Sequence, residues 1–448
     1  MQGTVWAGLM CTCTMDKLGR QAYGDKNMLY KYRGEVEVPP LQMVDDVILA
    51  GLCGNQVVTS NAAVNSFVKL KKLQLHEGKC ARLHIGKFKC AGCPELLVNG
   101  NPIKESQGEK YLGDYLSTNA TATSTLQDRK RKGYGILGEI RAILEDIPLG
   151  NKRLEIGLTL RESWFLNGTL YNSEVWGAYN KNYLNELEVL DQKILCLTLN
   201  AHSKSQNEML YLESGALSMS HIVSIRRLSY LQTLLKRPES EITKKIYRAQ
   251  YKNPLPGDWV KLIQEDMTKY SIHLSEDDIC GMDSETYKSY IKRKVRNVAF
   301  SELSQMKISH KKVQHINHMG LVGPQNYLTS ELLSNKTRSL LYNLRCKSVS
   351  GIRGSFRRQY REDIFCPFLC PMQEDTQEHI LCCQKLVAHL SNTERILLEK
   401  VKYSDLFGTV SEQKEITGIF LILLRIRKRL QDKDPEPAYE GNNSRPQG

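Results

Sequence analysis

The sequence predicts an α+β protein: a small antiparallel sheet with helices at the front, a helical middle, and a mostly α-helical C-terminal region held by a zinc knuckle. Three observations predict it. Strand-like alternating runs are confined to roughly the first quarter of the chain. Helical periodicity governs most of the remaining three quarters. Cys366, Cys370, His379 and Cys383 fall at metal-ligand spacing. At 448 residues there is room for about three domains and a real core. A hydrophobic share of 41% and a charged share of 25% describe an ordinary soluble chain. The longest apolar run, residues 416–424, is broken by Thr417 and Gly418 and is too short to span a bilayer, so no membrane partner is expected. Residues 1–6 lack the basic start and apolar core of a secretory signal. Thirteen cysteines in that setting point to reduced thiols, some on metal, and an intracellular location, nuclear and cytoplasmic, is expected.

The net charge of +13 is unevenly placed. Between Lys288 and Arg361, sixteen lysines and arginines face only Glu302 and Glu331, a local +14 that accounts for the whole excess. Such a concentration is the footprint of a polyanion-binding surface; the bland alternative is a solvated basic face.

The organising stretch is Leu41 to Leu49, where Asp45 and Asp46 interrupt an apolar, strand-like run after Pro39-Pro40. Two neighbouring carboxylates in apolar surroundings call for a cation, and hard oxygen ligands suit Mg²⁺. A solvated hairpin tip is the plainer reading. Upstream, Gln2-Gly3 leads into an apolar-periodic run ending near Gly19. Residues 29–38 and 41–49 read as two strands meeting at a hairpin that lifts Asp45 and Asp46 to its tip. A helix is expected over about 60–73, with Val64, Phe67 and Val68 on one face. A strand is expected next, from Lys79 to Gly86. Residues 95–100 and 109–116 then read as a second small hairpin.

Gln2-Gly3, Asp45-Asp46, Lys79 and Lys110-Tyr111-Leu112-Gly113 stand in the order and spacing of the later palm motifs of reverse transcriptases. The chain most resembles LINE-type, non-LTR retrotransposon enzymes. That resemblance implies a partial palm over 1–120 of an RNA-directed DNA polymerase. Gln2 and Gly3 would lie under the incoming dNTP and template, and Asp45 and Asp46 would hold catalytic Mg²⁺. Lys79 would sit near the departing pyrophosphate, and Tyr111, Leu112 and Gly113 would grip the primer. The usual aromatic-Ala-Asp-Asp is Met43-Val44-Asp45-Asp46 here, and the usual Ser-Pro-Leu is Ala7-Gly8-Leu9. The family's third metal-binding aspartate precedes Gln-Gly, so little polymerase activity is expected of this polypeptide alone.

Helical spacing then dominates, as in Leu187, Leu190, Ile194 and Leu197. The resemblance makes residues 121–253 a helical thumb on an RNA template and DNA primer, with Arg129, Lys130, Arg131 and Lys132 as its first phosphate contacts. Arg226-Arg227 is expected on the polar side of its helix, and Trp164, Tyr171 and Trp176 in the core. Pro254-Leu255-Pro256-Gly257-Asp258 marks a boundary, and 254–361 forms a basic helical linker. Tyr290, Phe300, Tyr327, Tyr342, Phe356 and Tyr360 interleave its charges, a pattern suited to RNA or single strands. Arg353, Arg357, Arg358 and Arg361 are expected to contact phosphates.

These lead into the knuckle, 362–390, where Cys366, Cys370, His379 and Cys383 supply a tetrahedral Zn²⁺ set, with Cys382 as an alternative fourth ligand. LINE-type enzymes carry a similar knuckle, with one residue fewer between its first two cysteines. Cys90-Ala-Gly-Cys93 has no partner pair at useful spacing. Helices are expected over 391–430, with Arg425, Arg427, Lys428 and Arg429 in water, and a disordered tail over 431–448. The contrasting reading is a non-catalytic RNA- and DNA-binding zinc-knuckle protein built on a polymerase remnant. An unrelated metal-dependent nuclease is a third.

Overall fold

The computed structural model describes residues 30–43, 46–85, 95–148, 151–176, 181–201, 205–309, 324–352 and 364–433. The α+β class holds. The strands are β1 (Tyr30–Tyr32), β2 (Val36–Val38), β3 (Leu41–Met43), β4 (Asp46–Ile48), β5 (Ala81–Arg82), β6 (Leu97–Val98), β7 (Asn101–Pro102), β8 (Lys104–Glu105), β9 (Gly108–Tyr111) and β10 (Asp114–Ser117). They form five two-stranded sheets, four antiparallel pairs of sequence neighbours and the parallel pair β5–β8.

The predicted pairing of whole runs is corrected here: each run folds back on itself. Asn99 and Gly100 both take positive φ, 51° and 87°, and close β6–β7. Leu112 and Gly113 do the same at 47° and 92°, closing β9–β10. Two consecutive left-handed residues are the turn whose twist matches a tight hairpin, and X-Gly supplies it. Residues 41–43 likewise pair with 46–48 and not with 29–38.

Helices of six residues or more are α1 (Gly54–Leu70), α2 (Thr123–Glu145), α3 (Asn151–Leu160), α4 (Lys181–Leu199), α5 (Asn207–Ser214), α6 (Met219–Leu235), α7 (Ile242–Lys252), α8 (Trp259–Lys269), α9 (Glu276–Gly281), α10 (Ser284–Ser309), α11 (Asn335–Arg345), α12 (Gln377–Cys382), α13 (Asn392–Lys400) and α14 (Val410–Lys433). A π-helical stretch, Arg161–Leu166, continues α3. None of the described helices is long and apolar enough to cross a membrane.

The chain divides into two compact units, with boundaries inside helices. The first comprises 1–131, 170–185 and 220–298. Its main core joins Leu228 and Leu231 of α6, Tyr247 of α7, Ile263 of α8, and Tyr287, Ile291 and Val295 of α10. A smaller cluster sets Val47 and Leu49 against Val64, Phe67 and Val68 of α1, which fixes the face that β4 turns inward. The β1–β2 turn is tied down by Arg33, which donates to the Ala249 and Asn253 carbonyls and pairs with Asp258. Glu276 to Asp278 form the first turn of α9, where Ser275 and Asp278 make a capping box.

The second unit comprises 132–169, 186–219 and 299–448. Its core gathers Leu195 and Leu199 of α4, Met209 and Leu210 of α5, Leu341 and Tyr342 of α11, and Ile416, Ile419, Phe420 and Leu423 of α14. Cys366, Ile380, Cys383 and Leu386 belong to the same core. Three of the buried arginines of this unit each sit on a carboxylate: Arg161 on Asp191, Arg345 on Glu213 and Arg427 on Asp375.

Several expectations are overturned by burial. Tyr327, Tyr342 and Phe300 are core residues and offer no ring for stacking, and Tyr290 is half-buried. Arg227 is buried on Asp266 and Arg226 donates to the Leu170 carbonyl, so neither lies on a polar face. Trp176 is core as predicted, whereas Trp164 and Tyr171 are exposed. Arg427 is buried, unlike its wet neighbours Arg425, Lys428 and Arg429.

Candidate metal centre

Residues 366–383 build the site from two turns and one short helix. Phe365 and Glu374 form an antiparallel bridge, and the Cys366 N–H donates to the Gln373 carbonyl, so the loop between them is closed at its base. Within it, Cys366-Pro367-Phe368-Leu369 and Cys370-Pro371-Met372-Gln373 each close on a carbonyl, with proline in the second position. Leu369 and Met372 hold φ of 57° and 54°. The left-handed Leu369 takes up the extra residue between the first two cysteines, which lets Cys370 return to the site. Thr376 then caps α12, its hydroxyl accepting from the His379 N–H, and this places His379 at the third helical position.

The ligand atoms of Cys366, Cys370, His379 and Cys383 all lie within 4.8 Å of one another. Cys383 Sγ is 3.9 Å from Cys366 Sγ and 3.6 Å from Cys370 Sγ. Four ligands around zinc with bonds of about 2.3 Å put sulfurs about 3.8 Å apart. A disulfide would draw them to about 2.05 Å, and all three thiols are free. Both ring nitrogens of His379 are buried without a hydrogen-bond partner, which a metal bond at one of them would relieve. Burial lowers the His379 pKa, which favours the neutral ring that ligates metal. Burial, and after it the neighbouring thiols, pushes Cys370 up to about 12, and burial also raises Cys366. Thiols held protonated in this way are turned into thiolates by a bound cation. The residues therefore fit a metal ion such as Zn²⁺.

The open choice of fourth ligand is settled by geometry. Cys382 Sγ points back to the carbonyls of Glu378 and His379 and is exposed, while Cys383 Sγ faces the cluster. Sequence reasoning missed the support behind the site. Asp375, fully buried between the second and third ligands, holds Arg427 of α14, and both charges act on the His379 ring. An aspartate four residues before the histidine was a visible signal, but its partner lies 52 residues away.

Among the described residues, the metal cluster includes none of the other predicted residues. Gln2, Gly3, Asp45, Arg353, Arg357, Arg358, Arg361, Phe356, Tyr360 and the Cys90–Cys93 pair lie outside the described residues. Asp46 opens β4 opposite Met43 and is exposed. Lys79 ends a 3₁₀ turn and is exposed. Tyr111 closes β9, and burial, with the Asp46 carboxylate second, raises its phenol above the usual range. A larger residue at Gly113 would be strained: its φ is positive, and a Cβ there would stand 3.1 Å from the Tyr171 ring, which would have to shift.

Arg129 requires a correction. It is 1% exposed, donating to the Gly113 carbonyl and Asp114 Oδ1 with its guanidinium 5.2 Å from the Tyr171 ring centre. It anchors the hairpin and has no face for a phosphate. Lys130 is half-buried, and Arg131 and Lys132 are exposed. For Mg²⁺, the described part of the Asp45-Asp46 pair offers a single carboxylate. One carboxylate does not make a two-metal site. No protein family, curated protein or solved structure matches this chain.

Proposed function

We propose that the chain is a nucleic-acid-binding part of a LINE-type reverse transcriptase. In this reading it holds an RNA template and DNA primer, and a structural zinc at Cys366, Cys370, His379 and Cys383 fixes its C-terminal core. The reading is carried by two short antiparallel hairpins, β3–β4 with Asp46 opening its second strand and β9–β10 turning at Leu112-Gly113. Those hairpins carry the metal and primer-grip motifs in the resemblance. The local excess of basic residues supplies the attraction for phosphates.

A second reading, a non-catalytic binder that keeps the hairpins as scaffold, is favoured by one specific feature. Among the described residues the strands form separate two-stranded sheets, where a working palm needs one continuous platform. Primer extension on an RNA template with Mg²⁺, run beside binding of the same hybrid, separates the two. Extension lost in Asp46→Ala supports the polymerase. Binding without extension supports the scaffold, and absence of both overturns the two readings together.

A further inference from the structure

In the first unit, α10 carries a row of exposed cations. Tyr287, Ile291 and Val295 turn inward and are fully buried, so the opposite face is fixed outward. Lys288, Lys292 and Arg296 each follow one of these buried residues by a single position and so line the flank about 100° round the helix from the buried stripe, with Arg293 on the outermost side, all four exposed. At a rise of 1.5 Å per residue, Lys288, Lys292 and Arg296 form a straight ridge about 12 Å long.

No hydrogen bond or ion pair holds any of these four among the described residues, although Arg293 lies 5.7 Å from the half-buried Tyr290 ring. Several exposed cations elsewhere do find acids: Arg141 has Glu145, Arg237 has Glu241, Arg248 has Glu239 and Glu276. Like charges four residues apart destabilise a helix, and the ridge holds two such pairs in succession.

We infer that the exposed side of α10 is a phosphate-backbone contact for nucleic acid, made by Lys288, Lys292, Arg293 and Arg296. This rests on the reading above and adds the surface and the mode of contact. The apolar side of α10 is engaged in the core, so the helix cannot lay an apolar face into a lipid surface. A straight row of cations with no exposed ring among them reads charge along a strand and not base identity. Contact is therefore indifferent to sequence. Arg338 and Arg345, from the same basic segment, are buried and take no part.

The test is anisotropy of a labelled RNA–DNA hybrid with the full chain over a range of salt, comparing wild type with a Lys288→Gln/Lys292→Gln/Arg296→Gln variant. A charge-matched control, Lys414→Gln/Arg425→Gln/Lys428→Gln, removes three exposed cations from α14. The ridge variant should lose about three units of the salt slope and about tenfold to a hundredfold in affinity at about 0.1 M salt, independent of hybrid sequence. The control should keep the slope, and circular dichroism should show both variants folded. An unchanged slope in the ridge variant, or an equal loss in the control, overturns the inference while leaving hybrid binding intact. Absence of binding by wild type overturns the broader reading and this surface with it. Phosphatidylserine vesicles captured through the ridge, with the hybrid unaffected by its loss, also overturn it.

Discussion

Arg427 meets Asp375 with two parallel hydrogen bonds, Nη1 to Oδ1 and Nη2 to Oδ2, each 2.7 Å long. Arg427 Nη2 also donates to the Gly351 carbonyl. This pair fastens the ligand loop to α14. Both residues are essentially excluded from water, so removing one partner leaves the other charge buried and alone. Arg427→Ala should lower stability by about 3–5 kcal/mol by urea unfolding. It should also weaken zinc affinity by about 10–100-fold in chelator competition, as loss of outer support does at other metal sites. An Arg427→Met/Asp375→Leu double variant should recover most of the stability, since neither charge then remains. Equal losses in the single and double variants would show that the ion pair is not what couples loop to helix.

The geometry of the cluster sets the metal stoichiometry expected of purified protein. Elemental analysis should find about one zinc per chain, lost in Cys366→Ser and in Cys383→Ser. Cys382→Ser should retain it, because that thiol faces helix carbonyls and not the other ligands. Metal retained in Cys383→Ser and lost in Cys382→Ser would reverse the ligand assignment. Chelation should loosen the core around Ile380 and Leu386, which adjoin the cysteines.

How much of this was legible in the sequence depends on the range of the interaction. The ligand set was readable because all four residues fall within one local stretch and metal chemistry restricts their spacing. Helical α14 was readable from its apolar stripe, and Ile416, Ile419, Phe420 and Leu423 do pack inward. What periodicity could not reveal is which charged residues the core would admit. Arg129, Arg227, Arg345 and Arg427 look like solvent residues until their carboxylates are found 15 to 132 positions away. Hairpin pairing escapes periodicity for a different reason. Asn99-Gly100 and Leu112-Gly113 look like strand ends when only the alternation of side chains is read, although their turn chemistry closes each run on itself.

Glu188 gives the second unit a pH dependence with a definite sign. Burial, then the nearby Asp191 carboxylate, pushes its pKa from 4.5 up to about 7, against hydrogen bonds from the Tyr211 hydroxyl and the Met219 N–H. A carboxyl raised in the fold favours folding while protonated. That contribution is fully present below about pH 4.5 and lost as pH rises through about 7. The loss is on the order of 3 kcal/mol. Glu188→Gln keeps a neutral side chain at every pH, so its stability relative to wild type should grow between pH 5 and about 7.5 and then level. Parallel stability curves for the two proteins would show that Glu188 does not titrate in this range.

Arg129 and Arg131 should part company although both belong to one basic run. Arg129 holds the β9–β10 turn through the Gly113 carbonyl and Asp114, and Asp114 in turn accepts from Asn172 Nδ2. Asp114 keeps some access to water, which moderates the penalty of leaving it unpaired. Arg129→Ala should therefore cost about 2–4 kcal/mol in urea unfolding. The salt slope of hybrid binding should not change in protein that remains folded, because this guanidinium meets no phosphate. Exposed Arg131→Ala should shift stability by no more than about 0.5 kcal/mol. A fall of about one in the Arg129→Ala slope would return that arginine to the phosphate-binding surface.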